Sequence, residues 1–288
     1  MQTFSRSSRF FLAAALAVCF SATVAGAQDY KIKLNRPSKV GDESTAHITT
    51  KFKQEMSGNP AGSQEFTVEL QGTLKTLAVN DKTGAATKLS CTVKKLTKDG
   101  NELYPPGTVI VGEKVNKADT FTIDGNPVDA ANVPALSAVL ELADPDRSTT
   151  DDEIYGTDKP QPIGGSWPIS ADKMAAELTG EGLPVPAESL KGEVKLTDVT
   201  KVDNVDALMM NMHISADGFN STVPGANITD GKLDVTGDSV VPVDESLQGL
   251  SLKVKMHMSM TVTPDNGGPA ATLTIDRETN QEQRPVEK

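Results

Sequence analysis

Leu252-Lys-Val254-Lys-Met256-His-Met258-Ser-Met260-Thr-Val262 alternates apolar and polar residues without a break. A period of two puts Leu252, Val254, Met256, Met258, Met260 and Val262 on one face and the polar residues on the other, the mark of a half-buried strand. Weaker forms of the pattern recur at Tyr30-Ile32-Leu34, Ala46-Ile48-Thr50-Phe52, Val68-Leu70, Leu89-Cys91-Val93, Leu208-Met210-Met212-Ile214 and Leu273-Ile275. Turn signals separate them: Lys82-Thr-Gly84, Asp99-Gly100, Pro106-Gly107, Asp124-Gly125, Asp230-Gly231 and Asn266-Gly-Gly268. Polar-out, apolar-in strands joined by short turns imply antiparallel sheet with one wet face.

Two short helices interrupt this pattern. At 133–142, Pro134 sits in the first turn while Val133, Leu136, Val139 and Leu140 share a face. At 171–178, Ser170 stands at the cap, Asp172 in the first turn and Gly180 just past the end. The fold class is therefore mainly β, an α+β chain with few short helices on one or more large curved antiparallel sheets.

The chain also resembles itself at a spacing near 120 residues. Leu70-Gln-Gly72-Thr-Leu74-Lys75 and Val79 align with Leu190-Lys-Gly192-Glu-Val194-Lys195 and Val199. Val40-Gly41 matches Ile163-Gly164, Leu89 matches Leu208 and Pro106-Gly107 matches Pro224-Gly225, all in the same order, so a tandem duplication is expected. The halves are placed at 28–143 and 163–275. An acidic Pro/Gly linker at 144–162 joins them, and the polar segment 276–288 is expected to be a disordered tail.

The first 27 residues read as a secretory signal peptide: Arg6 and Arg9, an apolar run from Phe10 to Phe20, and Ala25-Gly26-Ala27 before the cut. Val18 stands where a lipoprotein signal needs a small residue, so Cys19 is not expected to be an anchor. No segment reaches the roughly 18 consecutive apolar residues of a transmembrane helix. An exported protein, periplasmic or extracellular, is the expectation. Removing those 27 residues, with two Arg and no acid, takes the net charge from −11 to −13. Such an acidic surface disfavours nucleic acid and anionic membranes as partners. Cys91 is then the single cysteine, so no internal disulfide can form.

From Ile163-Gly-Gly-Ser-Trp167-Pro to Ile214 the chain resembles a group of uncharacterised secreted bacterial proteins. These place a hydrophobic-Gly-Asp-x-Trp segment before a short helix and a Gly-led strand. Gly165 stands here in place of the Asp. The resemblance implies export and carries no activity with it.

Catalytic templates find no match. Ser170-Ala-Asp-Lys173 and Lys82-Thr-Gly84 have the spacings of penicillin-interacting serine enzymes but in reversed order, so an N-cap and a hairpin turn explain them. An EF-hand loop begun at Asp144 would place Thr149 and Tyr155 where Gly and Glu are needed, so the acidic run reads as a solvated linker. His47, His213 and His257 fall on polar faces. One Trp, three Tyr and four Phe after residue 27 are too few for a carbohydrate groove.

Soft-metal binding through Met210, Met212, Met256, Met258 and Met260, with Cys91, is a chemical option, because thioethers and thiolates suit copper. Core packing explains the same residues. For an apolar ligand the candidates are Trp167, Val133, Leu136 and Leu140, on the segments expected to cover the sheet. For Trp167, stapling the connector is the favoured reading. No cofactor signature is present. The leading expectation is a non-enzymatic exported envelope protein, structural or an interaction module. The alternatives are a carrier of an apolar, lipid-like ligand in a half-barrel-like sheet, and a copper binder. A carrier must keep an apolar cavity of several hundred Å³, whereas a structural protein packs solid.

Overall fold

The computed structural model describes residues 28–58 and 62–286. The expected signal peptide at 1–27, with Cys19, lies outside the described residues. In chain order the strands of the first half are β1 (Asp29–Tyr30), β2 (Glu43–Met56), β3 (Gln64–Val79), β4 (Ala86–Lys98), β5 (Asn101–Glu102), β6 (Val109–Val115), β7 (Ala118–Ile123) and β8 (Asn126–Pro127). Helices α1 (Val133–Ser137) and α2 (Asp151–Tyr155) follow, then β9 (Gln161–Pro162), β10 (Ser166–Pro168) and helix α3 (Ala171–Gly180). The chain ends with β11 (Leu190–Val202), β12 (Val205–Val223), β13 (Ala226–Pro242), β14 (Ser251–Pro264) and β15 (Ala271–Pro285).

Thirteen of these strands form one antiparallel sheet, ordered β10-β11-β12-β13-β14-β15-β2-β3-β4-β6-β7-β8, with β5 beside β4. The sheet is open, not closed into a barrel. Strand β14, the residues of the opening alternation, pairs with β13 and β15 over its length. Tight turns carry left-handed residues where the hairpins need them, as at Asp99-Gly100 and Asp124-Gly125. Asp203-Asn204 serves β11–β12 in the same way.

Several elements depart from the sequence reading. Only Asp29–Tyr30 of the expected first strand is paired, with β9. Past that point the Asp152 carboxylate accepts the Leu34 amide at 2.6 Å and the Asn35 amide at 3.3 Å, so these donors are not open to a ladder. Asp230-Gly231 is not a turn. It forms a bulge inside β13, where Gly231 lies against the Phe219 ring so closely that a Cβ would meet it at 2.4 Å. The linker contains α2, capped by a reciprocal pair: the Thr150 hydroxyl accepts from the Glu153 amide and the Glu153 carboxylate from the Thr150 amide. Ser170 occupies the N-cap of α3 without making a side-chain cap bond.

The largest correction concerns 276–288. Through Pro285 the expected tail is strand β15, paired with β14 on one side and β2 on the other. It is the seam between the halves. Its inward face carries Arg277, Thr279, Gln281 and Gln283, so it divides the apolar interior in two. One cluster holds Val68, Leu70, Cys91, Ile110, Leu136 and Leu140 of the first half. The other holds Trp167, Met174, Leu196, Leu208, Phe219 and Met260 of the second. Arg277 and Thr279 of the seam are satisfied locally: the Thr50 hydroxyl donates to the Ala138 carbonyl at 2.8 Å and lies 3.2 Å from that of Thr279, which accepts from Arg277 Nε at 3.1 Å.

The halves share their local geometry. The Gly41 amide donates to the Thr76 carbonyl, and the Thr76 amide to the Asp42 carbonyl; the Gly164 amide donates to Leu196, and the Leu196 amide to Gly165. Glu43 pairs with Lys75 as Ser166 pairs with Lys195. A bulge follows at Thr76/Ala78 and again at Leu196/Asp198, the same offset of 120. The next strand is shifted from the sequence alignment: Leu89 opposes Thr76 and Met210 opposes Leu196, so Met210 and not Leu208 stands at the place of Leu89. The halves differ where β10 stops after three residues and the chain leaves the sheet as α3, while β2 continues for 14.

Candidate functional site

Each half has its own cover. The segment from α1 to Leu142 buries Leu136, Val139 and Leu140 against the first half. Over the second half, α3 buries Met174 and the extended segment before β2 buries Ile32. Helix α3 has ten residues and touches β11. The inner face of β13 and β14 extends beyond its reach, and a cavity of about 950 Å³ remains there.

The cavity's floor is apolar. Met212, Val235, Leu252, Val254 and Met256 line it and are only half-buried, although their strand parity points them inward. Leu252 and Val254 belong to neither core cluster. The roof comes from both covers, Val139 and Leu142 on one side and Leu178 and Leu183 on the other. Gly237 of β13 faces Met212, whose methyl would lie 2.9 Å from an added Cβ, so its lack of a side chain makes room for the thioether.

One end of the cavity is ionic. Arg147 bonds Asp151 Oδ1 at 2.8 Å through Nη2, and its Nε lies 2.7 Å from Glu177 Oε1, so it joins the linker to α2 and α3. Burial raises the Glu177 carboxyl above the usual carboxylate range, against the pull of the Arg147 guanidinium. Burial and the Asp151 charge likewise push the Tyr155 phenol up. The other end is hydrophilic: Gln281 and Gln283 of the seam, the Lys75–Glu43 pair at 2.8 Å, and Arg284, whose Nε lies 2.5 Å from Asp203.

The candidate residues fall in different places. Met210, Met212, Met256 and Met258 line the cavity, while Met260 is buried in the second-half core. Cys91 lies in the first-half core, where burial pushes its thiol up to about 12. The sulfurs are thus divided between two clusters. Leu136 and Leu140 are buried in the first-half core with Val133 packed against it, and their neighbours Val139 and Leu142, members of the same core, also line the cavity. Trp167 is buried away from it and donates from Nε1 to the Tyr155 carbonyl at 2.7 Å. The three histidines lie on the outer face, beside Glu69, Asp234 and Asp276 at 2.7–3.3 Å. Lys173 pairs with Glu153 at 3.2 Å, and the Asp144 side chain accepts its own loop's Asp146 amide.

Sequence reasoning missed Val235, Val254, Leu178 and the Arg147–Glu177 pair. Parity marked Val254 as inward, and Val235 lay outside every alternation read from the sequence. Nothing in the sequence said that no helix covers them.

No family model and no curated protein matches the chain. Among solved structures it is similar to DynF from the dynemicin biosynthesis pathway of Micromonospora chersina, at 10% identity over 90% of this chain and 86% of that one. The TM-score of 0.20 is too low to carry an argument.

Proposed function

We propose that this protein is an exported carrier of an apolar ligand, held between the inner face of the open sheet and the helices above it. The observation that carries the reading is the cavity of about 950 Å³ over inward-facing Val235, Val254 and Met256. A structural module has no use for it, because interiors otherwise close to crystal-like density. The volume is at the upper end of ligand pockets, about 300–1,000 Å³. The methionines suit a flexible apolar occupant, since unbranched thioethers adapt their shape at little energetic cost. We further propose that the halves arose by duplication; the matched turns, pairings and bulges support this. Export rests on the signal-like first 27 residues.

Native mass spectrometry of the protein purified from its own cell envelope, under conditions that keep noncovalent ligands, tests the reading. A lipid-sized adduct lost on organic extraction is expected. A bare chain mass, with no uptake of an uncharged apolar dye, would return the structural reading to the front.

A further inference from the structure

The cavity has a charge as well as a volume. Seven carboxylate side chains line it, including Asp42, Glu141, Asp151, Glu177 and Glu181, against three cations, Lys75, Arg147 and Arg284. Each of those cations already faces a carboxylate: Lys75 faces Glu43, Arg147 faces Asp151 and Glu177, and Arg284 faces Asp203. A carboxylate or phosphate entering the cavity would meet no unengaged cation on its lining and an excess of four negative charges, one of them, on Glu181, faced by Lys114 at 3.6 Å. Asp151 and Glu177 gather around Arg147, at 2.8 and 2.7 Å, and Glu141 lines the same cavity beside Leu142. Glu177 is part-buried, so its charge is screened less than at an open surface, while Asp151 and Glu141 reach solvent at the cavity mouth.

We infer that the occupant is a cationic amphiphile, a hydrocarbon tail on the floor of β12–β14 with an amine or quaternary ammonium at the Glu141–Asp151–Glu177 end. This rests on the carrier reading and adds the headgroup. Burying a headgroup is tolerable where charges complement each other and unfavourable where they repel. A fatty-acid anion is disfavoured by its sign, since the one guanidinium at that end is shared by two carboxylates. An uncharged head can enter but gains nothing from the excess.

The test is displacement of N-phenyl-1-naphthylamine, an uncharged apolar dye, at fixed 0.15 M salt and below micelle-forming concentrations. Three competitors with the same twelve-carbon chain are compared: dodecyltrimethylammonium, dodecyl glucoside and dodecanoate. The ammonium is expected to displace the dye at roughly tenfold lower concentration than the glucoside and roughly a hundredfold lower than dodecanoate. Glu177→Gln should leave Arg147 facing Asp151 alone and improve dodecanoate about tenfold while weakening the ammonium. Glu141→Gln, at an exposed position, gives the second half of that result if Glu177→Gln does not fold. If the dye itself fails to bind, the carrier reading falls and takes this inference with it. Dye binding with dodecanoate or the glucoside equal to the ammonium overturns the headgroup inference alone. An order unchanged in both variants also overturns it.

Discussion

The indole N–H of Trp167 donates to the main-chain carbonyl of Tyr155 at 2.7 Å, tying the short strand after the linker to the helix inside it. Both partners sit in the second-half cluster, so removing the donor leaves a carbonyl without its partner. Trp167→Phe should lower unfolding free energy by about 1–3 kcal/mol, read by urea denaturation with far-ultraviolet circular dichroism. A change under 0.5 kcal/mol would mean that water takes the place of the indole.

Asn80 holds the start of the linker against the first half. Its buried amide donates to the carbonyls of Pro145 at 2.6 Å and Arg147 at 2.9 Å, and its oxygen accepts from the amides of Lys82 and Thr83. Asn80→Ala should destabilise by about 2–4 kcal/mol, and Asn80→Asp by more, because a carboxylate would face carbonyl oxygens. Hydrogen exchange at 144–150 should rise in both.

Acid and base limbs of stability have different owners. Glu69 is held below the usual carboxylate range by its bonds to Lys95 and then Gln71, so its stabilisation is present above the unfolded value and lost as pH falls through the folded one. Glu177, raised by burial, works in the opposite sense: its contribution is present at low pH and lost as pH climbs through its folded value. Glu69→Gln should therefore flatten the loss of urea midpoint between pH 5 and 3. Glu177→Gln should flatten a decline that begins above about pH 4.5, near the free carboxylate value. Identical profiles in wild type and both variants would contradict these assignments.

Filling the cavity separates a carrier from a packed core. Val235→Phe and Val254→Phe should leave the midpoint of thermal unfolding within a few degrees of wild type, or raise it, while reducing dye uptake by tenfold or more. In a core without the cavity the same changes overpack and destabilise by about 1–3 kcal/mol.

Strand β15 predicts its own protection. Amides of Thr274 to Glu282 should exchange as slowly as those of β14, since both edges of the strand are paired. Truncation after Asp276 should abolish cooperative unfolding and expose dye-binding surface in both halves.

What the sequence made legible follows from parity. Strands such as β4, β12 and β14 put apolar residues on one inward face, and the period of two announces them. Strand β15 crosses between the cores, where inward Thr279, Gln281 and Gln283 match its outward residues in polarity, so no alternation marks it. The shared pattern of the Gly-led strands Leu70–Val79 and Leu190–Val199 is legible in the sequence, and the two strands carry matching turn bonds and bulges. The pairing moved one anchor by two residues, from Leu208 to Met210, which keeps its facing side and so leaves the hydrophobic pattern intact. The methionines of the floor were noticed for their sulfur. Whether a helix covers an inward strand depends on where that helix ends in space, and alternation along the strand does not encode it.

The strand at the seam has a consequence in time. Strand β2 is the first strand of the large sheet to be made and β15 the last, yet they lie side by side. Until β15 emerges, β2 keeps an unpaired edge and β14 has no partner on its far side, both open to pairing with another copy of the chain. Folding therefore ends in the middle of the sheet. A chain cut short near its end loses no outer flap; it is left with two half-sheets that were never joined.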